Sequence, residues 1–281
     1  MKIGLMLFSC DYAIRPDDFA RAAEERGFES IWLPEHSHIP ASRRTPYPAG
    51  GDLPKEYWHT HDLFVSLAMA AAVTRRILIG SGICLVIQRD PIFLAKEVAS
   101  LDQLSNGRFL FGIGGGWNAE EMENHGTPFK KRWKILREKI EAMKAIWAGE
   151  NAEYHGEFVN FDPIWQHPKP LTRPHPPIIL GTATPNGRQR VVDYCDGWIP
   201  IDLLIQDLPA AISDLRQRAE KAGRDPRSIP ISVFWAKAEE AELRKYQSMG
   251  VERAILAVPA ESRDKVLPVL DQYAELARKL A

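Results

Sequence analysis

The sequence has few cysteines, no long apolar run and no excess of charge of either sign. Its 281 residues contain three cysteines, Cys10, Cys84 and Cys195. Because they are odd in number and widely spaced, we expect reduced thiols rather than a disulfide framework or a zinc site. The most apolar stretch, residues 63–73, is too short to span a bilayer. Strand-like residues begin at Lys2, which leaves no room for a signal peptide. These features predict a cytoplasmic protein that does not enter a membrane.

The charge balance argues against two further classes of protein. Lys and Arg number 36 and Asp and Glu number 37, for a net charge of -1. No long basic run is present that could follow a phosphate backbone or an anionic bilayer. We therefore expect no nucleic-acid partner and no membrane-surface partner. Hydrophobic residues make up 45% of the chain, which is typical of a globular protein with a large core.

Strand-like and helix-like segments alternate along the whole chain. The predicted strands cover residues 2–8, 30–33, 77–81, 109–113, 178–180, 197–201, 229–234 and 253–258. The predicted helices cover residues 16–26, 63–73, 91–104, 131–147, 187–194, 207–221, 239–249 and 263–280. Alternating units imply parallel strands, and eight of them match the size of a closed barrel. We predict an α/β fold, a (β/α)8 TIM barrel, as one domain over residues 1–281.

Two departures from a minimal barrel are predicted. A long loop follows the second strand, and a small hairpin within residues 154–161 precedes the fifth. A doubly wound open sheet is the alternative fold. Its nucleotide-binding form needs G-x-G-x-x-G directly after the first strand, where this chain has Ser9-Cys10-Asp11, so the barrel is favoured.

In such a barrel the chemistry lies on the loops that follow the strands. The second strand is followed by Pro34-Glu35-His36-Ser37-His38, and His36 is the first candidate because an imidazole titrates near neutral pH. The pairs His36-x-His38 and His59-x-His61 also suggest a metal-dependent hydrolase. The ends of strands five, six and eight offer no further His and no Asp, so we predict no metal.

Two glycine-containing segments can approach a ligand closely. Strand four continues into residues 112–116, Gly-Ile-Gly-Gly-Gly, followed by Trp117. Strand five runs into residues 181–187, Gly-Thr-Ala-Thr-Pro-Asn-Gly, at the start of a helix. Free amides at a helix start form an anion site, so a phosphate is predicted there; an ordinary Thr/Asn cap is the alternative.

Together these segments resemble the luciferase-like monooxygenase superfamily, the flavin- and deazaflavin-dependent (β/α)8 oxidoreductases. The resemblance is carried by MKIGLMLF, GFESIWLPEH, RILIGSGICLVIQRDPIFLAKEVASLDQLSNGRFLFGIGGGWNAEEME and PPIILGTATPNGRQRVVDYCDGWIP, in the family's order and spacing. They cover most of residues 1–200. Within the superfamily the chain looks most like the compact group assigned to coenzyme F420.

The resemblance implies a set of site residues. It places His36 near the reactive edge of the cofactor ring, with Glu35 in the acidic position paired with it in some relatives. It also implies that the Gly82-Ile83 peptide is cis. The implied cofactor-binding residues are Ser81, Gly82, Ile83, Gly114, Gly115, Gly181, Thr182, Ala183 and Thr184. We expect Tyr57, Trp58 and Trp117 to line a partly aromatic substrate pocket, and Arg43, Arg44, Arg188 and Arg190 to suit the acidic tail of F420.

Three functions follow from the resemblance. The leading hypothesis is an oxidoreductase that transfers a hydride between F420 and a small organic substrate. The first alternative is a two-component monooxygenase that uses O2 and reduced FMN from a separate reductase. The second is a barrel that binds a flavin without turnover. Relatives commonly form dimers through barrel helices, so we also expect a homodimer.

Overall fold

The computed structural model describes residues 1–280, and eight parallel strands arranged around an axis form its centre. The strands of the molecule are β1 (Lys2–Leu7), β2 (Ser30–Leu33), β3 (Leu78–Ser81), β4 (Phe109–Gly114), β5 (Ala152–His155), β6 (Asn160–Ile164), β7 (Ile178–Gly181), β8 (Gly197–Ile199), β9 (Ser232–Ala236) and β10 (Arg253–Val258). The helices are α1 (Pro16–Glu25), α2 (Glu56–His59), α3 (Leu63–Val73), α4 (Pro91–Leu104), α5 (Ala119–Asn124), α6 (Arg132–Ala148), α7 (Pro185–Tyr194), α8 (Leu208–Lys221), α9 (Glu240–Ser248) and α10 (Arg263–Lys279).

The strand order confirms the barrel. The sheet runs β8-β7-β4-β3-β2-β1-β10-β9, and every pairing between neighbours is parallel. Two isolated parallel bridges, Trp198 to Ile231 and Ile201 to Phe234, join its edges β8 and β9. We call this junction the seam. It closes the ring through these two bridges alone, whereas β1 and β10 pair over six consecutive residues.

Both predicted departures from a minimal barrel are present. An antiparallel hairpin, β5 with β6, lies between α6 and β7. The connection between β2 and α3 covers residues 34–62 and contains the short helix α2. The sequence did not predict α2 or α5, since each has fewer than two turns and little periodicity to detect. No helix within residues 1–280 is long and apolar enough to cross a membrane.

Large side chains fill the inside of the barrel. Trp32 is fully buried and donates from Nε1 to Ser30 Oγ at 2.9 Å. A Cβ at Gly80 would overlap the Trp32 ring, so this glycine on the neighbouring strand makes room for the indole. The barrel below the mouth is therefore packed, as expected for eight strands, and any ligand must bind at the strand ends.

At the amino-terminal ends of the strands, buried positive charges are fully hydrogen-bonded. Arg253 opens β10 and is 4% exposed; its Nε donates to Glu29 at 2.7 Å and its Nη1 to Ser232 at 2.9 Å. Arg108, just before β4, donates to four backbone carbonyls and to Thr74 Oγ1. Because these donors are satisfied, this end of the barrel has a structural role.

One predicted strand is displaced. Residues 229–234 were expected as the seventh barrel strand, whereas β9 spans Ser232–Ala236. Its register against β10 shifts between Ile255 and Leu256, which leaves Trp235 as the extra residue of a β-bulge. Trp235 has φ 55°, in the left-handed region that bulky residues rarely adopt.

Candidate functional site

A cavity of about 550 Å³ opens at the carboxyl ends of the barrel strands. Its wall is mostly apolar and includes residues from the loops after β1, β2, β3, β4, β7 and β8 and from the end of β9. The lining residues are Phe8, Pro34, Glu35, His36, Tyr47, Pro48, Ala49, Tyr57, Gly82, Ile83, Leu85, Gly114, Gly115, Gly116, Trp117, Trp133, Gly181, Thr182, Ala183, Thr184, Ile199, Ile201, Leu203, Leu204, Phe234 and Trp235. The structure thus brings most of the predicted site residues to one cavity.

His36 forms a buried pair with a carboxylate that the sequence did not assign. Its Nδ1 lies 2.8 Å from Glu121 Oε2, and the two side chains are 7% and 1% exposed. The second oxygen of Glu121 accepts from the Ser37 amide at 3.3 Å. Glu121 fixes the ring orientation of His36, and Nε2 has no hydrogen-bond partner within residues 1–280.

The short helix α5 explains how Glu121 reaches His36. Asn118 caps this helix, and its side chain accepts from the Glu121 amide at 3.5 Å. Glu121 therefore lies in the first helical turn, where the helix dipole favours negative charge. The sequence did contain a signal for this short helix and its carboxylates, namely Asn118, Glu120 and Glu121 directly after the glycine segment.

The expected pairing of Glu35 with His36 is wrong. The Glu35 carboxylate accepts from Arg89 Nε at 2.8 Å and from the Leu85 amide at 2.6 Å. Arg89 also bonds Glu97 and Asp62, which completes a partly buried ion cluster behind the cavity wall. Burial opposes the charged form of Arg89, but the Glu35 charge prevails and raises its pKa. Glu35 thus supports the segment after β3.

That segment carries the predicted cis peptide. The Gly82-Ile83 bond is cis, which confirms the prediction, and both residues line the cavity. Ser81 lies outside the cavity lining: it is fully buried and donates to the Gly112 carbonyl at 2.8 Å. Its hydroxyl therefore braces β3 against β4.

The loop after β7 has the features of an anion site. Thr184 caps α7 and accepts from the Gly187 amide at 3.1 Å, while Thr182 Oγ1 accepts from the Thr184 amide at 3.4 Å. Within residues 1–280 neither hydroxyl hydrogen has an acceptor. A Cβ at Gly187 would overlap Thr182, so this glycine lets Thr182 pack on the first helical turn. Two hydroxyl donors and a helix amino terminus fit a phosphate.

The positive side chains near this loop match the expectation only in part. Arg188 is buried and its Nε pairs with Asp214 at 2.6 Å, so it does not suit the F420 tail. Arg190, which was expected near the tail, and Arg132, which was not, lie over Trp133, with Cζ 4.5 Å and 5.4 Å from its ring centre. Neither has a carboxylate partner within residues 1–280. Burial lowers the pKa of Arg132, and the Arg190 charge adds to this effect.

Aromatic side chains form the opposite part of the wall. The Tyr57 ring centre lies 5.1 Å from His36 and 6.2 Å from Trp117, and Tyr57 donates to the Tyr47 hydroxyl at 3.1 Å. Burial, together with that hydrogen bond, raises the pKa of Tyr57. Trp58, predicted for this pocket, is 51% exposed and lies outside the cavity lining. It follows Tyr57 in the helix α2, so the two side chains point in different directions.

The long loop is attached to the same helix that carries Glu121. The adjacent Glu120 accepts from the Thr45 hydroxyl at 2.7 Å and from the Thr45 amide at 3.3 Å. The hydroxyl contact is the main cause that lowers the pKa of Glu120 to about 2. Arg43 from this loop lies over Trp117, 5.7 Å from its ring centre, and the exposed Arg44 pairs with Glu120 at 3.4 Å.

The histidines considered as metal ligands lie in separate environments. His38 and His125 both contact Ser37 Oγ, at 2.9 Å and 2.7 Å. His59 contacts Asp11, and His61 contacts Ser9. Within residues 1–280, no three His, Cys, Asp or Glu side chains are grouped so that they could hold a metal.

Several cavity residues escaped prediction. Trp133 begins α6, Leu203 and Leu204 follow β8, and Phe234 and Trp235 lie at the end of β9. Their side chains reach the cavity because barrel closure brings distant segments together, and no local pattern marks them. The bulge at Trp235 lacks the glycine that often indicates one.

This chain belongs to the luciferase-like monooxygenase family, which its residues 15–280 match. An uncharacterised protein of Mycobacterium tuberculosis is 40% identical over 289 residues, covering 100% of this chain and 99% of the relative. The FMNH2-dependent dimethylsulfone monooxygenase of Pseudomonas putida is 31% identical over 159 residues, 55% of this chain and 44% of that one. The structure of an F420-dependent secondary alcohol dehydrogenase, in complex with an F420-acetone adduct, matches with a TM-score of 0.78 at 18% identity, covering 100% and 99% of the two chains.

Proposed function

We propose that this protein is an oxidoreductase that transfers a hydride between coenzyme F420 and a small organic substrate. The observation that carries the proposal is the buried His36–Glu121 pair at the edge of an apolar cavity that also reaches the loop after β7, whose free hydroxyls and helix amino terminus suit an anion. Around the barrel, β7 lies three strands from β2 and four from β1, on the other side of the cavity. A ligand whose phosphate is bound at β7 would therefore extend across the cavity toward His36, which follows β2. Family membership supports a flavin-type cofactor.

Different residues of the chain would bind the phosphate and the ring of such a cofactor. Thr182, Thr184 and the amino terminus of α7 would bind the phosphate, and Gly82-Ile83 with Gly114 and Gly115 would face the ring. When bound, F420 supplies the hydride in its reduced form and accepts it in its oxidised form. The apolar wall keeps water from the reacting atoms.

His36 would handle the proton that accompanies the hydride. When a carbonyl is reduced, the hydride adds to carbon and Nε2 of protonated His36 donates a proton to oxygen, which gives the alcohol and neutral His36. In the reverse direction Nε2 takes the hydroxyl proton. Glu121 holds Nδ1 and stabilises the protonated ring.

F420 is preferred to FMN because of the positive charge beyond the phosphate loop. The F420 tail carries several carboxylates, whereas FMN ends at its phosphate. Arg132 and Arg190, which lack carboxylate partners within residues 1–280, would bind such a tail.

Titration of the purified protein with each cofactor at two salt concentrations tests this proposal. We expect tighter F420 binding that weakens with salt, because exposed contacts to carboxylates are screened. Thr182→Val with Thr184→Val should weaken the binding of both cofactors about 10-fold or more, whereas Arg190→Gln should weaken only F420. Submicromolar FMN binding without detectable F420 binding would overturn the choice and favour the monooxygenase. Bound cofactor without turnover of any screened substrate would favour a non-catalytic barrel.

We also propose that the protein forms homodimers through α3. The outward face of this helix is apolar: Val65 is 61% exposed, Ala68 and Ala72 are exposed, and Met69 is half-buried. The exposed Phe93 begins the adjacent helix α4. A second copy of this face would cover these side chains. Sedimentation velocity of wild type and Val65→Glu tests this: the variant should be monomeric, and a monomeric wild type would contradict the proposal.

A further inference from the structure

We infer that the substrate is an uncharged molecule with an aromatic ring and one polar oxygen. This inference rests on the proposed function, since it assigns the part of the cavity that the cofactor leaves to the substrate. It is carried by three observations: the aromatic wall beside His36, the absence of an available charge there, and the strained backbone at Trp235.

The wall beside His36 is built from rings at contact distance. Tyr47, Tyr57 and Trp117 have ring centres 5.3 to 6.2 Å apart, in nearly perpendicular arrangements. His36 lies 5.1 Å from Tyr57 and 5.8 Å from Trp117. Flat rings at these angles offer both faces and edges, which suits an aromatic guest better than a flexible polar one.

No charged side chain that lines the cavity is left to pair with a charged substrate, and Arg43, which lies over Trp117 outside the lining, donates to the Thr45 carbonyl. The acidic and basic residues that line the cavity are Glu35 and His36. Glu35 is bonded to Arg89, and the positive charge of protonated His36 is balanced by Glu121. A carboxylate or ammonium group entering this space would lose water without gaining an ionic partner.

The polar groups that remain suit a single oxygen. Nε2 of His36 has no partner within residues 1–280, and Tyr47 accepts from Tyr57, which leaves the Tyr47 hydroxyl hydrogen to donate. One substrate oxygen can accept from either donor, and the rest of its body meets carbon.

The bulge in β9 brings an additional ring to the cavity. Neighbouring strand residues normally face opposite sides of a sheet, yet Phe234 and Trp235 both line the cavity. They do so because Trp235 adopts φ 55° at the bulge. A left-handed conformation is unfavourable for tryptophan, and strain of this kind is found where a side chain has a function. We assign Trp235 to the substrate.

Three small probes of similar size test the substrate class. Isothermal titration calorimetry at pH 7.5 would measure acetophenone, benzoate and benzylamine against protein saturated with oxidised F420, or with FMN if only FMN binds, and against cofactor-free protein. We expect acetophenone to bind at least 10-fold more tightly than either charged probe. Equal or tighter binding of benzoate or benzylamine would overturn the inference, and so would binding of none of the three. Failure of the proposed function is distinguishable, because it shows as absent F420 binding in the cofactor titration, whichever probe binds.

Variants at Trp235 distinguish the effect of its backbone conformation on stability from the effect of its ring on substrate binding. Trp235→Ala and Trp235→Gly should both weaken acetophenone binding about 3- to 10-fold, whereas Trp58→Ala, outside the cavity, should not change it. Glycine adopts φ 55° without strain, so the melting temperature of Trp235→Gly should be about 2–4 °C higher than that of Trp235→Ala. In an ordinary strand the glycine variant would be the less stable of the two. Unchanged acetophenone affinity in both Trp235 variants would remove the assignment.

Discussion

The two ends of the barrel strands use polar groups in opposite ways. At the amino-terminal end, Arg108 bonds only backbone carbonyls and one hydroxyl, and Arg253 is paired with Glu29. At the carboxyl end, Nε2 of His36 and the hydroxyl hydrogens of Thr182 and Thr184 have no partner within residues 1–280. Donors that are already hydrogen-bonded within the protein contribute stability, whereas donors without a partner are available to ligands. Substitutions should therefore affect stability at one end and chemistry at the other.

The largest difference between the effect on turnover and the effect on stability is expected for His36. His36→Ala should lower kcat by about 10²–10⁴, because the proposed proton donor is removed, with little change in melting temperature or cofactor affinity. Stopped-flow measurement of cofactor oxidation or reduction checks the rate, and calorimetry checks stability. His38→Ala is the matched control, since His38 is half-buried and lies outside the cavity lining, and it should retain wild-type turnover. Wild-type rates in His36→Ala would make this histidine a bystander.

Arg253 should show the opposite pattern. Arg253→Met removes the buried partner of Glu29 and leaves only Lys2 Nζ, 4.0 Å away, so the free energy of unfolding should fall by about 3 kcal/mol while kcat stays unchanged. Urea denaturation measures the change. The exposed pair of Lys265 with Glu261 supplies the control: Lys265→Met should cost about 1 kcal/mol or less. A large kinetic defect in well-folded Arg253→Met would break the division between the two ends.

Glu121 sharpens the comparison, because it is a buried and fully bonded residue at the functional end. Glu121→Gln keeps the shape but removes the charge that stabilises protonated His36, so kcat should fall about 10- to 100-fold. Glu121→Asp keeps the charge and should recover part of the activity. An equal loss of kcat in Glu121→Asp and Glu121→Gln would mean that the carboxylate serves only to hold the helix α5.

The smallest effect is expected at Lys139, a charged group that supports the cavity wall. Lys139 donates to the carbonyls of Val86, Ile87 and Arg89, and burial lowers its pKa to about 8. The unfolded state holds this proton up to its ordinary pKa of 10.5. Above pH 8 the unfolded state therefore binds more protons than the folded state, and stability rises with pH. The rise should be about 1 kcal/mol between pH 8 and pH 9.

Denaturant titrations at the two pH values measure this rise. It should vanish in Lys139→Met and persist in Lys134→Met, whose lysine is exposed and has a raised pKa from its hydrogen bond with Glu157. An identical rise in wild type and Lys139→Met would assign it to other groups.

The sequence predicted the barrel because the patterns that mark its strands and helices each lie within a short stretch of the chain. Each strand and most helices have a short apolar or amphipathic pattern with its own start and stop signals, such as Asp62 before α3, whose side chain caps that helix. Loops that directly follow strands were also placed correctly, including Gly82-Ile83 and Thr182 to Thr184. The partner of His36 was not, because Glu35 and Glu121 are equally plausible carboxylates until the fold sets a distance. Trp58 and Ser81 were misplaced for the same reason, since the direction of a side chain depends on its exact register.

The seam between β8 and β9 has a consequence for motion. Two isolated bridges join these strands, whereas β1 and β10 pair over six consecutive residues. Local opening costs least where the fewest backbone bonds must break. We therefore expect the ring to widen more easily at the seam than between β1 and β10. Ile201, Leu203, Leu204 and Trp235 line the cavity beside this junction, so such widening would enlarge the cavity there without changing the register of β7 with β4.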